Sequence, residues 1–175
     1  YESGLNSVED RLVAEETALM ATDNILQRIR ELAVRASSDT LSGADREILS
    51  FEVSALKDSL LALANTQDIS GNYVFAGSAV QTEPFAADAS GDMSYKGAQR
   101  YVAVDVSEQR RLTMNRPGSE AFSSLVRQAS DGTSQRVRFF AVFEAFRAAL
   151  QLNNTANIQH SLGEVDQLSA TISVS

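Results

Sequence analysis

Ala64-Asn65-Thr66-Gln67-Asp68-Ile69-Ser70-Gly71-Asn72-Tyr73-Val74-Phe75-Ala76-Gly77-Ser78 joins two different textures. Before it, apolar residues recur three and four apart, as they do on one face of a helix. From Asp68 onward, glycines and aromatic residues enter and the apolar period shortens to two, the period of a strand. Asn72 to Ala76 therefore reads as a strand in which Tyr73 and Phe75 share a face. Gly71 and Gly77 bracket it, and glycine permits the tight turns such a bracket needs.

Working back from this point, Ala44 to Thr66 reads as a helix with Leu49, Val53, Leu56, Leu60 and Leu63 as its seam, widened by Ile48, Phe51 and Ala55. Ser42 and Asp45 stand at the spacing of a capping box. Ahead of a short turn at Ser37–Gly43, Tyr1 to Ser38 carries Leu5, Val8, Leu12, Glu15, Leu19, Thr22, Leu26, Ile29, Ala33 and Ala36, a heptad-like, coiled-coil stripe with polar lapses at Glu15 and Thr22. Val13, Met20, Ile25 and Leu32 form a second ridge beside it. At 1.5 Å rise per residue this helix is about 55 Å long, so the expected shape is a rod.

Working forward, Ser94–Lys96, Arg100–Val106 and Arg110–Asn115 read as strands, with Ser107-Glu108-Gln109 a hairpin loop and residues 86–92 an exposed loop. In Arg100–Val106, Val102, Val104 and Val106 point one way and Tyr101, Ala103 and Asp105 the other. Arg116-Pro117-Gly118 closes the region. Helical texture returns, with a short helix expected over Ala121–Ala129. A stronger helix is expected over Gln135–Leu152, with Phe139, Phe143, Phe146 and Leu150 on one face. Asn154 or Thr155 caps a last helix carrying Ile158, Leu162, Val165, Leu168 and Ile172. The fold class expected is α+β: an elongated antiparallel helical bundle with a small antiparallel β-rich insert. Residues 1–67 and 135–175 form a discontinuous helical rod domain, and residues 68–134 the insert. The chain starts without Met and stops inside a helical pattern. It reads as an excised piece, with Tyr1 and Ser175 adjacent and helix continuing beyond both.

The 175 residues include no Cys, one His and two Pro, and the formal net charge is −8. Without Cys there is no disulfide, thiolate site or Cys nucleophile in this stretch. A single His excludes zinc sites built on paired imidazoles. The acidic balance opposes nonspecific binding to nucleic acid or anionic membrane. No apolar run approaches the roughly 20 residues of a membrane span. Scarce proline favours long helices.

Reactive groups are few. His160 stands off the apolar seam of its helix and reads as a solvated histidine. Asp88 and Asp92 fit no calcium-loop spacing and read as an acidic turn. Glu15 and Glu16, near Glu9 and Asp10, read as a solvated helix face. Arg110, Arg111, Arg127, Arg136 and Arg138 are expected to meet acidic neighbours, within the chain or across subunits. The Asn153-Asn154-Thr155 acceptor pattern reads as a capping turn rather than a glycosylation site. No phosphate-binding loop, dinucleotide fingerprint or nucleophile elbow is present. No catalytic residue, cofactor or metal is expected, and the protein is expected not to be an enzyme.

Four motifs occur in order: Gly71, Tyr73, Phe75, Gly77 and Ser78; then Pro84-Phe85; then Tyr95-Lys96-Gly97; then Gly118-Ser119-Glu120-Ala121-Phe122. In this order, between amphipathic helices, they resemble the flagellin-like family of bacterial flagella, and within it the subunits of the hook–filament junction. The resemblance covers essentially the whole chain, without the family's terminal segments. It implies a structural, non-catalytic subunit stacked into a tubular joint in the extracellular flagellum. Further implications are export of the full-length protein through the flagellar type III apparatus with a chaperone, and contacts with itself, hook-associated protein 1 and flagellin. Without terminal association segments the piece is expected to be monomeric. The Tyr73–Ser78 stretch reads either as a hinge between rod and β-domain or as ordinary β-core; Pro84 and Gly97 read as turn residues. The rival readings are flagellin itself and a surface carbohydrate-binding or adhesin-like module.

Overall fold

The computed structural model describes residues 2–174 except 108, 109, 115, 129 and 130, and side chains outside 2–5, 7, 103–114 and 173–174. Its elements are α1 (Glu2–Ala36), α2 (Gly43–Ala64), β1 (Phe85–Ala87), β2 (Met93–Tyr95), β3 (Val102–Ser107), β4 (Arg110–Met114), α3 (Gly118–Ala121), β5 (Leu125–Gln128), β6 (Ser134–Val137), α4 (Phe139–Gln151) and α5 (Thr155–Val174). The strands pair as antiparallel two-stranded ribbons, β1 with β2, β3 with β4 and β5 with β6. This is a helical bundle with small antiparallel β elements. The chain divides into two compact units, Tyr1–Ala21 with Ala62–Phe122, and Thr22–Leu61 with Ser123–Ser175. Helices α1 and α2 each contribute to both.

In the second unit the heptad seam forms the core. Leu26, Ile29, Leu32, Val53, Leu60, Phe143, Phe146, Leu150, Ile158 and Val165 are fully buried. Each such side chain contributes about 1.5–3 kcal/mol by leaving water. Thr22, a polar lapse in the stripe, is buried as well. Ion pairs seal the seams: Arg28 with Glu52 joins α1 to α2 (2.8 Å), Lys57 with Glu144 joins α2 to α4 (2.9 Å), and Arg30 with Asp166 joins α1 to α5. Arg46 is buried and donates to the carbonyls of Ala36 (3.0 Å) and Ser38 (2.8 Å) and to the Asn153 side chain (2.7 Å). It thereby satisfies carbonyls that the end of α1 leaves without helical partners. With Ala36 and Asn153 at one level and Arg30 and Asp166 at another, α5 runs antiparallel to α1.

The expected capping box is present: the Asp45 amide donates to Ser42 Oγ (3.1 Å) and the Ser42 amide to the Asp45 carboxylate (3.4 Å). Asn154 caps α5 by accepting from the Asn157 amide at 3.1 Å, after Asn153 turns the chain with φ 54°.

Several expectations are corrected. Asn72–Ala76 is not a strand; it carries only isolated bridges, Gln67 with Tyr73 and Ala76 with Pro117. Turns at Gly71 (φ 84°) and Gly77 (φ 59°) leave no room for a ladder, and Val74, Phe75 and Ala76 are buried in succession rather than alternately. The loop expected at 86–92 begins inside β1, which pairs Phe85 with Tyr95. The helix expected over Ala121–Ala129 is instead α3 followed by β5, because Leu125–Gln128 finds a ladder partner in Ser134–Val137. That partner also delays the start of α4 to Phe139. Val13, Met20, Ile48 and Phe51, expected to widen the core, are 61–67% exposed. Among the described residues these helix faces stay largely open to solvent. The 108–109 loop, the facing of the β3 side chains at 103–106, and the adjacency of Tyr1 and Ser175 lie outside the described residues.

Candidate functional site

The four motifs converge within the first unit on one cluster of glycines and rings. Phe75 is fully buried and meets the edge of Phe122 (5.3 Å, 89°). Phe122 meets Phe85 (5.7 Å, 78°), which meets Tyr95 (5.5 Å, 52°). Edge-to-face pairs of this kind add about 0.5–1.5 kcal/mol beyond the buried area. Backbone bonds fix the rings. The Gly118 amide donates to the Phe75 carbonyl at 2.7 Å, the Ala98 amide to Ala76 at 2.9 Å, and the Lys96 amide to Pro84 at 2.6 Å.

The glycines are the points of closest approach. A Cβ on Gly118 would stand 2.5 Å from the Phe85 ring, and one on Gly97 would stand 2.5 Å from the Tyr95 hydroxyl and 2.8 Å from the Ala76 carbonyl. At Gly77 a Cβ would press into the Ala98 carbonyl and lie 2.6 Å from that of Arg100, in a left-handed backbone besides. Gly71 has left-handed φ but open space around it. Ser78 is exposed and Tyr73 half-buried. The Tyr95 hydroxyl donates to the Ala98 carbonyl. Burial pushes the phenol up to about 12, so it remains a donor at any physiological pH.

Sequence reasoning missed two residues that tie this cluster to the helices. Asn65, at the end of α2, uses its amide as a strand edge: it accepts from the Phe85 amide (2.9 Å) and donates to the Phe85 carbonyl (3.0 Å). Asp68 accepts from the amides of Ser70 (2.9 Å) and Asn72 (3.0 Å), and its other oxygen lies 2.8 Å from Arg11 Nε on α1. The Asp-x-x-Gly spacing from Asp68 to Gly71 was the available signal, since an aspartate carboxylate closes such turns by accepting from backbone amides further along.

Of the residues read as rod core, Leu26, Ile29, Leu49, Val53, Leu60, Phe139, Phe143, Phe146, Leu150 and Val165 are buried. Leu12, Leu19, Leu56, Leu63 and Leu162 are half-buried. In the second unit Arg127 holds the Glu164 carboxylate with two nitrogens, at 2.9 and 2.6 Å. His160 is exposed. Asp88 serves its own turn, accepting from the Ser90 and Asp92 amides at 3.0 and 3.1 Å. Among the described residues no group of three His, Cys, Asp or Glu is placed to hold a metal, and no helix is long and apolar enough to cross a membrane. The arrangement is built for packing: buried rings, required glycines and ion pairs between helices.

Residues 2–80 match the family described as the bacterial flagellin N-terminal helical region, a likeness to flagellin-like proteins. The chain is also similar to flagellar hook-associated protein 3 of Escherichia coli K12, at 33% identity over 140 residues. That match takes in 78% of this chain and 43% of the relative, so the chain spans less than half of the curated relative's length. Flagellin B of Vibrio cholerae is 43% identical over 63 residues, which is 36% of this chain and 17% of that one. A crystal structure of FlgL from Xanthomonas campestris shares the fold with a TM-score of 0.86 at 21% identity, over 98% of this chain and 85% of that one.

Proposed function

We propose that this chain is part of a subunit of the hook–filament junction, a structural protein without catalytic activity. One observation carries the reading. Similarity to hook-associated protein 3 runs over 78% of the chain, whereas similarity to Flagellin B takes in 36% of it. In this reading, residues 1–67 and 135–175 supply stiff helical staves that stack into a tube, and residues 68–134 face outward. The glycine and aromatic cluster, with Gly71, Tyr73, Phe75, Gly77, Ser78, Pro84, Phe85, Tyr95, Gly97, Gly118 and Phe122, is the mechanical joint between these parts. It meets what a joint needs, since a densely packed ring cluster transmits strain and deforms little.

The full-length protein would leave the cell through the flagellar type III apparatus, escorted by a chaperone. It would then sit outside the cell between hook-associated protein 1 and flagellin, beside further copies of itself. Immunogold labelling of intact flagella tests the placement: a single band at the hook–filament boundary is expected. Label along the whole filament would instead identify a flagellin, the reading favoured by the shorter match of higher identity, 43% over 63 residues.

A further inference from the structure

The second unit carries two exposed faces of opposite charge on different elements. On α2, Ile48, Phe51 and Ala55 are spaced three and four apart and all point to solvent, with Ile48 at 65% and Phe51 at 67% exposure. Acids border them: Asp45 three before Ile48, Glu47 four before Phe51 and Asp58 three after Ala55, each exposed. No basic residue of α2 interrupts this rim, because Lys57 turns to Glu144 on α4 and Arg46 is buried. A large exposed aromatic amid smaller apolar residues is the composition of an interface centre rather than of a solvated face.

The β5–β6 hairpin has the complementary character. Its inner face is fixed, with Leu125 and Val137 buried and Arg127 bound to Glu164 of α5. On its outer face Val126, 53% exposed, stands opposite Arg136 in the register. Arg136 is exposed, and no acid shares that face among residues 126, 128, 134 and 136. This is a positive charge beside an exposed apolar residue in a chain of net charge −8.

We infer that these two faces bind each other across neighbouring copies of this chain: α2 of one copy receives the β5–β6 hairpin of the next. Within one copy they stay apart, since α2 is bordered by α1 and α4 through ion pairs while the hairpin is anchored on α5. A two-fold pairing of α2 on α2 would bring Glu47 and Asp58 against their own kind, a costly like-charge contact. Pairing two different faces leaves one of each free at the ends, so the contact propagates and builds a ring or tube instead of a closed dimer. This inference rests on the proposed role as a tube subunit and names the surface that role would use.

The absence of cysteine in this chain allows a direct test. Flagella are isolated from bacteria carrying Ala55→Cys, Ser134→Cys or both, treated with a bismaleimide linker and blotted for the protein. Both positions are exposed and lie within the two proposed faces, and neither replaces Phe51 or Val126. The double variant is expected to give a covalent ladder and each single variant none. Adding Arg136→Glu is expected to cut the ladder about tenfold, and reversing Glu47 and Asp58 to Arg in that background to restore it. The inference is overturned if Ala55→Cys alone dimerises as well as the pair, if the blot shows the protein but no ladder, or if Arg136→Glu changes nothing. Flagella that lack the protein altogether would refute the junction role instead. The same cysteine pair, read by the same criteria on the concentrated purified protein, would then decide the contact.

Discussion

Gly77 and Gly71 both adopt left-handed φ, yet their surroundings differ. A methyl group at Gly77 meets two carbonyl oxygens, whereas at Gly71 it meets open space. Gly71→Ala is therefore expected to lose only the left-handed penalty of about 1–2 kcal/mol. Gly77→Ala should lose that plus the displacement of the 98–100 segment. Urea melts of the two variants separate the effects; equal losses would mean that the ring cluster does not need the close approach. Glu144 makes a second prediction at this scale. Hydrogen bonds from Arg147, aided by Lys57 and opposed by burial, hold its carboxyl down from the usual 4.5 to about 2. A carboxylate with a depressed folded pKa stabilises the fold above its unfolded pKa, and that contribution disappears as pH falls through the folded one. The loss should fall between about pH 4.5 and about pH 2. The side chain is nearly half exposed, so solvent screening keeps the effect small. Glu144→Gln should flatten the acid limb of melting temperature against pH; an unchanged slope would remove Glu144 from the account.

At the scale of elements, the helices were legible because their apolar residues keep the helical period and because Ser42, Asp45 and Asn154 sit where caps are needed. Which apolar ridge faces inward was not legible. Leu60 and Phe51 have the same kind of spacing along α2, yet Leu60 is fully buried and Phe51 is 67% exposed. Period identifies a stripe, while a partner element decides whether it is covered. Accordingly Leu60→Ala should cost about 2–5 kcal/mol in a denaturant melt. Phe51→Ala should leave the melt of the isolated chain within about 0.5 kcal/mol. β5 was misread for a related reason. Phe122, Leu125 and Val126 imitate helical spacing, and strand preference depends on the neighbour a segment finds. That neighbour, Ser134–Val137, lies across a turn. The glycine and aromatic cluster was half legible. Its members were visible as motifs, but their convergence depends on Asn65 and Asp68, polar residues whose bonds reach well beyond the local pattern.

At the scale of the molecule, an exposed face of the size of Ile48, Phe51 and Ala55 falls short of the roughly 1,000 Å² a stable interface buries. The isolated 175-residue chain should therefore sediment as a monomer at micromolar concentration. The same contact becomes effective when assembly raises the local concentration of neighbours. Sedimentation of this chain alone as rings or filaments would show that the helices and hairpin suffice for polymerisation. An acidic net charge of −8 favours the same outcome, since like-charged copies repel one another.

A joint is defined by what separates when it is removed. The most direct measurement is electron microscopy of cells in which the corresponding gene has been deleted, with flagellin assayed in the medium. The expected result is intact hooks without attached filaments and flagellin released as soluble protein, with filaments restored by the wild-type gene. Normal filaments on the hooks of deleted cells would contradict the account.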